Sequence, residues 1–490
     1  MKQGEHPLSD DIASLEAKSR ALELDSPHRQ ELFDAVSQYS NEFLDTLAEQ
    51  KAYSSQGYDP SPDDVILKPG PKSTISELLS YLSNRVDTPG INLSSGGHFG
   101  FIPGGGLYEA ALGDYLAAVT NRYAGVFYAS PGAVRMENAM VRWAGEVIGY
   151  RGDFGGNLSS GGSMANLTAI ATARHAKNIK NRDSDSTVIY TTRRTHHSVY
   201  KALKVSGLHE CIMRHIDLDA NYRMDVGKLE EQIKSDLAAG LKPFMCIINA
   251  GSTDLGAVDP LIGVSKVTKA YDLWLHVDAA YGGFFMLTKW GQQILKGIEL
   301  ADSVILDPHK GMFLPYGTGI VLVKDKKHLL DTFLYNASYL QDIRDREHED
   351  SPTDLSAELS KHFRGLRMWI PLKIHGVQPF RDSLDEKLLL TRYLWDHIRE
   401  LGFEMGPYPD LTVMIFRYTK GVDRVDDLNH KILNDIQEDG RTFTSSTTID
   451  GKFYLRAAIL SFRSHKEQVD LFIMMIKESL QRHLKEHLLS

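Results

Sequence analysis

Apolar positions in the first fifty residues recur at helical spacing, and Leu32, Val36, Tyr39, Phe43 and Leu47 fall on one face. Residues 57–72, GYDPSPDDVILKPGPK, carry the prolines and glycines of a linker. Thr74 and Glu77 then have the spacing of a capping box, which predicts a helix over ISELLSYLSNRV. A segment this thin cannot bury a core of its own. Residues 1–97 are therefore expected to form a helical appendage that packs on the main domain or on a partner subunit.

From about residue 98 the pattern changes to short β-rich runs alternating with helical ones. STVIYTT, ECIMRHI, FMCIINA, LWLHVDAA, DSVILD and GIVLVK read as strands, with helices over HSVYKALKVSG and LIGVSKVTKAYD between them. Alternation of this kind predicts an α/β domain, a mostly parallel sheet with helices on both faces, over residues 98–375. A smaller α+β unit is expected over residues 376–490. LTVMIFRY and KFYLRAAILSF are its strands, and a last helix capped by Ser464 and Glu467 buries Val469, Phe472, Ile473, Ile476 and Leu480.

Composition narrows the function classes. Of 490 residues, 42% are hydrophobic and 24% charged, the balance of a globular protein. A net charge of -9 gives no general attraction to nucleic acid or anionic lipid. Cys211 and Cys246 lie in separate apolar contexts without metal-type spacing and read as reduced core residues. The polar start MKQGEHPLSDD does not have the form of a signal peptide, and no apolar run is long enough to cross a bilayer. A cytoplasmic enzyme without a membrane or nucleic-acid partner is expected.

Four motifs fall where strands end, the edge at which open α/β sheets bind ligands. In GNLSSGGSMANLTAIATARHAK, residues 156–177, a glycine-serine turn opens into a helix whose first N–H groups favour a phosphate. SSGG also occurs at residues 94–97, where no helix follows. In WLHVDAAYGG, Asp278 ends an apolar strand and needs a cation or several donors; capping the next helix is an equal alternative. In DSVILDPHKGMF, Lys310 follows the next strand and can join an aldehyde cofactor as a Schiff base. Taken singly, a surface lysine is the commoner case. In TTRRTHHSVYKAL, one of His196 and His197 can lie flat on an aromatic ring. A phosphate seat, a carboxylate for a ring nitrogen, a Schiff-base lysine and a stacking imidazole together describe a pyridoxal phosphate site.

DPHK (307–310), HVDAAY (276–281) and GGSMAN (161–166) resemble the group II pyridoxal-phosphate-dependent amino acid decarboxylases, among them the aromatic L-amino acid, glutamate and tyrosine decarboxylases. The resemblance runs from about His98 to the end. It implies the aspartate-aminotransferase-like fold (fold type I) and a homodimer with both active sites at the interface. It implies that Lys310 carries the cofactor, Asp278 meets the pyridine nitrogen, His196 stacks on one face and Ala280 packs on the other. Ser163, Met164, Asp307 and His309 would contact the phosphate, and Thr253 would lie at the ring edge. HFGFIPGGG, residues 98–106, matches the segment lining the substrate side chain. Phe101, Ile102 and Pro103 are apolar, as in members acting on aromatic amino acids, so decarboxylation of an aromatic or large apolar L-amino acid to its amine is expected. An acidic amino acid is an alternative.

The chain departs from the family in one place. Many members carry a proton-donating tyrosine on a mobile loop; here the matching residues 341–363 contain none, and Tyr335 and Tyr339 do not align with it. The charged residues of that loop predict a solvated lid. Oxidative decarboxylation-deamination to an aldehyde is therefore an alternative. Carbon–carbon cleavage of a phosphorylated lipid amine and an inactive scaffold fit less well, the first because no N-terminal membrane span is expected and the second because Lys310, Asp278 and His196 are all intact.

Overall fold

The computed structural model describes residues 8–55, 73–334 and 349–489. The chain divides into two compact units, Met1–Asn92 and Leu93–Ser490.

The first unit holds the helices Ser9–Ser19, Ser26–Asp45 and Ile75–Leu82 and a small antiparallel pair, β1 (Tyr53–Ser54) with β2 (Gly90–Ile91). The expected capping box forms: the Glu77 N–H donates to Thr74 Oγ1 at 3.3 Å and the Thr74 N–H to Glu77 Oε2 at 2.7 Å. The expected apolar face is only half covered. Leu47 is buried, whereas Leu32 and Val36 stay exposed, as do Leu15 and Leu22. The linker, residues 57–72, lies outside the described residues.

The second unit is built on a seven-stranded sheet of β3 (Gly155–Ser159), β4 (Thr187–Thr191), β5 (Ile212–His215), β6 (Lys242–Asn249), β7 (Trp274–Asp278), β8 (Ser303–Leu306) and β9 (Gly319–Val323). Their order is β3-β9-β8-β7-β6-β4-β5. All adjacent pairs are parallel except the two made by β9. Val, Ile and Leu fill the central strands because helices cover both faces. Parallel pairing puts the carboxyl ends of β4, β6, β7 and β8 on one edge, and register sets Asn249 opposite Asp278 and Asp278 opposite Ile305.

β3 was not anticipated from its sequence, GGNLS, because glycines give no strand signal. They are required by packing: a Cβ on Gly156 would lie 2.3 Å from the Val321 carbonyl oxygen across the pair. The second sheet is antiparallel, in the order β10 (Glu404–Met405), β11 (Val413–Arg417), β13 (Lys452–Ala458), β12 (Ser445–Ile449). Helices Gln378–Glu400, Val425–Asp439 and Lys466–Leu489 pack on it through Leu394, Ile398, Ile432, Val469, Phe472 and Ile476.

Two expectations are corrected. The last helix does not use Ser464 and Glu467 as its box. Gln468 Oε1 accepts the His465 N–H at 2.9 Å, and the Ser464 hydroxyl donates to the Gly96 carbonyl at 2.6 Å. The second correction concerns the lid: residues 349–363 are not a solvated loop. Ser351, Pro352, Thr353 and Leu355 are buried, and Ser351 Oγ accepts the Phe127 N–H at 2.9 Å. Lys361 Nζ lies 2.7 Å from Glu137 Oε2, with side-chain exposures of 0% and 1%. It also donates to Asn157 Oδ1 and to the Leu158 carbonyl, so its charge is satisfied in place. Residues 341–348, with Tyr335 and Tyr339, lie outside the described residues.

Candidate active site

A cavity of about 630 Å³ opens at the strand edge. Its wall includes Lys310, Asp278, His196, Thr253, Ala280, Ser163, Met164, Asp307 and His309, together with Phe101 and Ile102. Pro103 is buried beside this wall and is not part of it.

Lys310 sits on a one-turn helix, Pro308–Gly311, that begins directly after β8. Its Nζ lies 3.0 Å from Asp307 Oδ2, so its ion-pair partner is Asp307 and not Asp278. Asp307 Oδ1 is buried without a hydrogen-bond partner. His309 Nδ1 donates to the Thr318 carbonyl at 2.6 Å, which leaves Nε2, 3.7 Å from Asp307 Oδ2, as the unprotonated nitrogen of a neutral ring. Burial lowers the pKa of His309 and favours that neutral form.

Asp278 is 8% exposed. Its Oδ2 accepts from Asn166 Nδ2 at 3.1 Å and its Oδ1 from the Ala280 N–H at 3.1 Å. No ion pair to Asp278 occurs among the described residues. A buried carboxylate held only by neutral donors is a costly arrangement that a cationic ring nitrogen would relieve.

The turn before helix Gly162–Ala176 is shaped for close approach. Gly161 has φ +147° and gives the helix start no capping side chain. A Cβ on Gly319 would lie 2.5 Å from Gly161 C, and one on Gly162 2.8 Å from Asp307 Oδ2. Uncapped N–H groups at a helix start suit a phosphate. The other SSGG is a packing device: Cβ atoms on Gly96 and Gly97 would meet the Arg463 and Arg441 carbonyl oxygens at 2.3 and 2.6 Å. Anion seat, lone buried carboxylate and accessible lysine together fit pyridoxal phosphate.

Of the two histidines, His196 reaches the cavity and His197 is exposed on the following helix. His196 Nδ1 accepts the Ser198 N–H at 3.3 Å. Burial lowers the pKa of His196, so the ring is neutral with its proton on Nε2.

Phe101, on the cavity wall, has φ +51°, a left-handed conformation uncommon outside glycine. Arg456 Nη1 donates to its carbonyl at 3.0 Å, while Nη2 and Nε donate to the Thr253 carbonyl at 2.6 and 3.1 Å. His98, in the same segment, is fully buried on Phe443 with neither ring nitrogen hydrogen-bonded.

Burial pushes the His98 pKa down from 6.5 to about 4, and that of His276 likewise. Both take up protons near pH 6.5 when unfolded but only near pH 4 when folded. Their contribution to stability is therefore intact above pH 6.5 and is lost as pH falls toward 4. Each histidine is expected to cost about 2 kcal/mol at pH 5 relative to pH 7. Urea unfolding at the two pH values checks this: the difference should shrink by about 2 kcal/mol in His98→Phe. An unchanged difference would reject the neutral buried ring.

Several residues of the site gave no sequence signal. Asn166 stood inside the quoted GGSMAN, but only its fold neighbours show that it touches Asp278. Arg456 comes to the wall from a distant segment, while Tyr281 and Tyr316 stand close to Asp278 and Lys310 in sequence and were not singled out.

Residues 80–419 match the profile of the pyridoxal-dependent decarboxylase conserved domain. The chain is 33% identical over 407 residues to an aromatic-L-amino-acid decarboxylase of Bacillus atrophaeus, covering 82% of this chain and 84% of that one. It is 25% identical over 407 residues to a phenylacetaldehyde synthase of Arabidopsis thaliana, covering 80% and 83%. The crystal structure of Oryza sativa TDC with PLP and tryptamine superposes with a TM-score of 0.88 at 22% identity, over 94% of this chain and 99% of that one, which establishes the shared fold. With the profile spanning most of its length, the chain belongs to the pyridoxal-dependent decarboxylase family, and it is a carboxy-lyase that decarboxylates an amino acid with pyridoxal 5′-phosphate.

Proposed function

We propose that the substrate is an aromatic or large apolar L-amino acid and that the product is its amine. The carrying observation is the wall that faces Lys310: Phe101, Ile102, Tyr281 and Tyr316 line it, and the guanidinium of Arg456 is engaged by the carbonyls of Phe101, Thr253 and Asp254 and by Ser445 Oγ. A glutamate side chain would need a cation there that Arg456 is poorly placed to provide. The aromatic-L-amino-acid decarboxylase relative supports the same substrate class.

Pyridoxal phosphate, when bound, supplies an aldehyde for amine nitrogens and a ring that takes up the electrons freed as the Cα–carboxyl bond breaks. Lys310 Nζ is the amine that anchors it. The Asp278 carboxylate holds a proton at the ring nitrogen, and the two donors on its oxygens fix its aim. All of them lining the same cavity, His196 and Ala280 would hold the ring between them, Thr253 would border it, and the backbone of Ser163 and Met164 with His309 and Asp307 would hold the phosphate. The proton that takes the place of CO2 at Cα would come from His196 Nε2–H, replenished from solvent, or from water directly.

The working unit is a homodimer of cytoplasmic location. Helix Tyr108–Thr120 leaves Tyr108, Leu112, Tyr115, Leu116 and Val119 exposed at helical spacing, an uncovered stripe suited to a second copy. The exposed Leu15, Leu22 and Leu32 suit packing of the N-terminal segment on the partner subunit. The buried free thiols of Cys211 and Cys246 suit a reducing compartment. Among the described residues no helix is long and apolar enough to cross a membrane.

Aldehyde formation is the second reading, favoured by the absence of tyrosine from residues 341–363 and by the phenylacetaldehyde synthase relative. It would consume one O2 and one water per amino acid and release CO2, ammonia and hydrogen peroxide with the aldehyde. Tryptophan, tyrosine, phenylalanine, DOPA and glutamate, supplied singly with the cofactor, decide both points. Amine in step with CO2 from the aromatic substrates is expected. Peroxide and ammonia in step with CO2 would establish the aldehyde reaction, and turnover of glutamate alone would overturn the aromatic reading.

A further inference from the structure

Behind Asp278 and His196 runs a chain of hydrogen bonds bounded by a carboxylate that only accepts and an indole that only donates. The Trp274 indole N–H can only donate, and it meets Ser303 Oγ at 2.9 Å. Ser303 Oγ can accept that bond and still offer its own hydrogen to His276 Nδ1, 2.8 Å away. A ring that accepts at Nδ1 carries its proton on Nε2, which lies 2.8 Å from Asn166 Oδ1. That contact settles the amide orientation, and Asn166 Nδ2 then spends its two hydrogens on Asp278 Oδ2 and Ser198 Oγ, both at 3.1 Å. Ser198 Oγ, having accepted, donates to His196 Nδ1 at 2.7 Å. Trp274, Ser303, His276, Asn166 and Ser198 are all at most 4% exposed. The other His276 tautomer would set a lone pair against the Asn166 oxygen or, with the amide flipped, turn that oxygen toward the Asp278 carboxylate, and a proton on His196 Nδ1 would take the acceptor from the Ser198 N–H, so the directions given are the self-consistent set.

We propose that Asn166 and His276 are positioning residues that lock the Asp278 carboxylate in one rotamer and, through Ser198, keep the His196 proton on Nε2. The inference rests on the roles proposed for Asp278 and His196. One amide thus serves both sides of the cofactor seat: it aims the carboxylate at the ring nitrogen and orders the imidazole that covers the ring face. His276 remains neutral because burial lowers its pKa to about 4, and a neutral ring with Nδ1 occupied is what makes it a donor to Asn166.

Cofactor affinity, measured by absorbance titration of the cofactor-free protein, tests this without reference to turnover. Asn166→Leu and His276→Leu are each expected to weaken pyridoxal phosphate binding about 10- to 100-fold. The double variant should lose little more than the worse single one, because both act along one path. His276→Gln, which keeps a donor near the Nε2 position, should stay within about threefold of wild type. Wild-type affinity in both leucine variants, or losses that multiply in the double variant, would overturn the proposal. If the leucine variants fail to fold, the isosteric Asn166→Asp decides the matter: affinity equal to wild type overturns it, and a loss of tenfold or more supports it. Failure of the wild-type protein to take up the cofactor would instead sink the underlying reading of the site.

Discussion

Lys310→Ala is expected to lower turnover by about four orders of magnitude or more, because among the described residues no other amine on the cavity wall can replace Nζ as covalent anchor. The structure adds a stability effect of separate origin. Lys310 is the cation of Asp307, which is 2% exposed and whose Oδ1 already lacks a partner. Its loss leaves a buried carboxylate with only the neutral His309 ring near it, at a cost of about 2 kcal/mol. The two effects separate in the double variant Lys310→Ala, Asp307→Asn, which should regain most of the unfolding free energy and none of the turnover. Borohydride treatment of the holoenzyme should fix cofactor on the wild-type chain at Lys310 and on neither variant. Full turnover by Lys310→Ala would refute its assignment as the anchor.

The parts of this site that could be read in the sequence share a physical cause. Lys310 and His196 follow β8 and β4 and Asp278 ends β7, all three strands mainly apolar. Buried parallel strands are continuous in hydrophobicity, so a polar residue at their end stands out. β3 was illegible because its glycines answer to a carbonyl across the sheet, a constraint visible only once β9 is beside it. The charges of residues 349–363 suggested solvent exposure because composition does not reveal that Lys361 finds Glu137, 224 positions earlier by subtraction of the two residue numbers. Asn166 was in view all along as part of GGSMAN, yet its function depends on His276, on β7, and Ser198, on the helix His197–Val205. Motif reading finds the groups that touch a cofactor; it passes over those that aim them.

Asp278→Asn is expected to cut turnover by about 10²- to 10⁴-fold while leaving the cofactor-free protein within about 1 kcal/mol of wild type. The catalytic loss follows from charge: a neutral amide no longer favours a proton on the ring nitrogen, and the ring is then a poorer acceptor of the electrons from the breaking bond. The small stability change follows from two opposed terms. Removing a buried anion that has only neutral donors is favourable. The amide that replaces it, however, meets two donors, Asn166 Nδ2 and the Ala280 N–H, with a single oxygen, so one of those hydrogen bonds is lost. Paired measurements of kcat and of urea unfolding without cofactor check the split. A variant that lost activity only in proportion to a collapse in stability would make Asp278 a structural carboxylate, the cap of the following turn that its bond to the Ala280 N–H also allows. Retained stability with lost turnover would tie the cost of burying this anion to the cation it is built to receive.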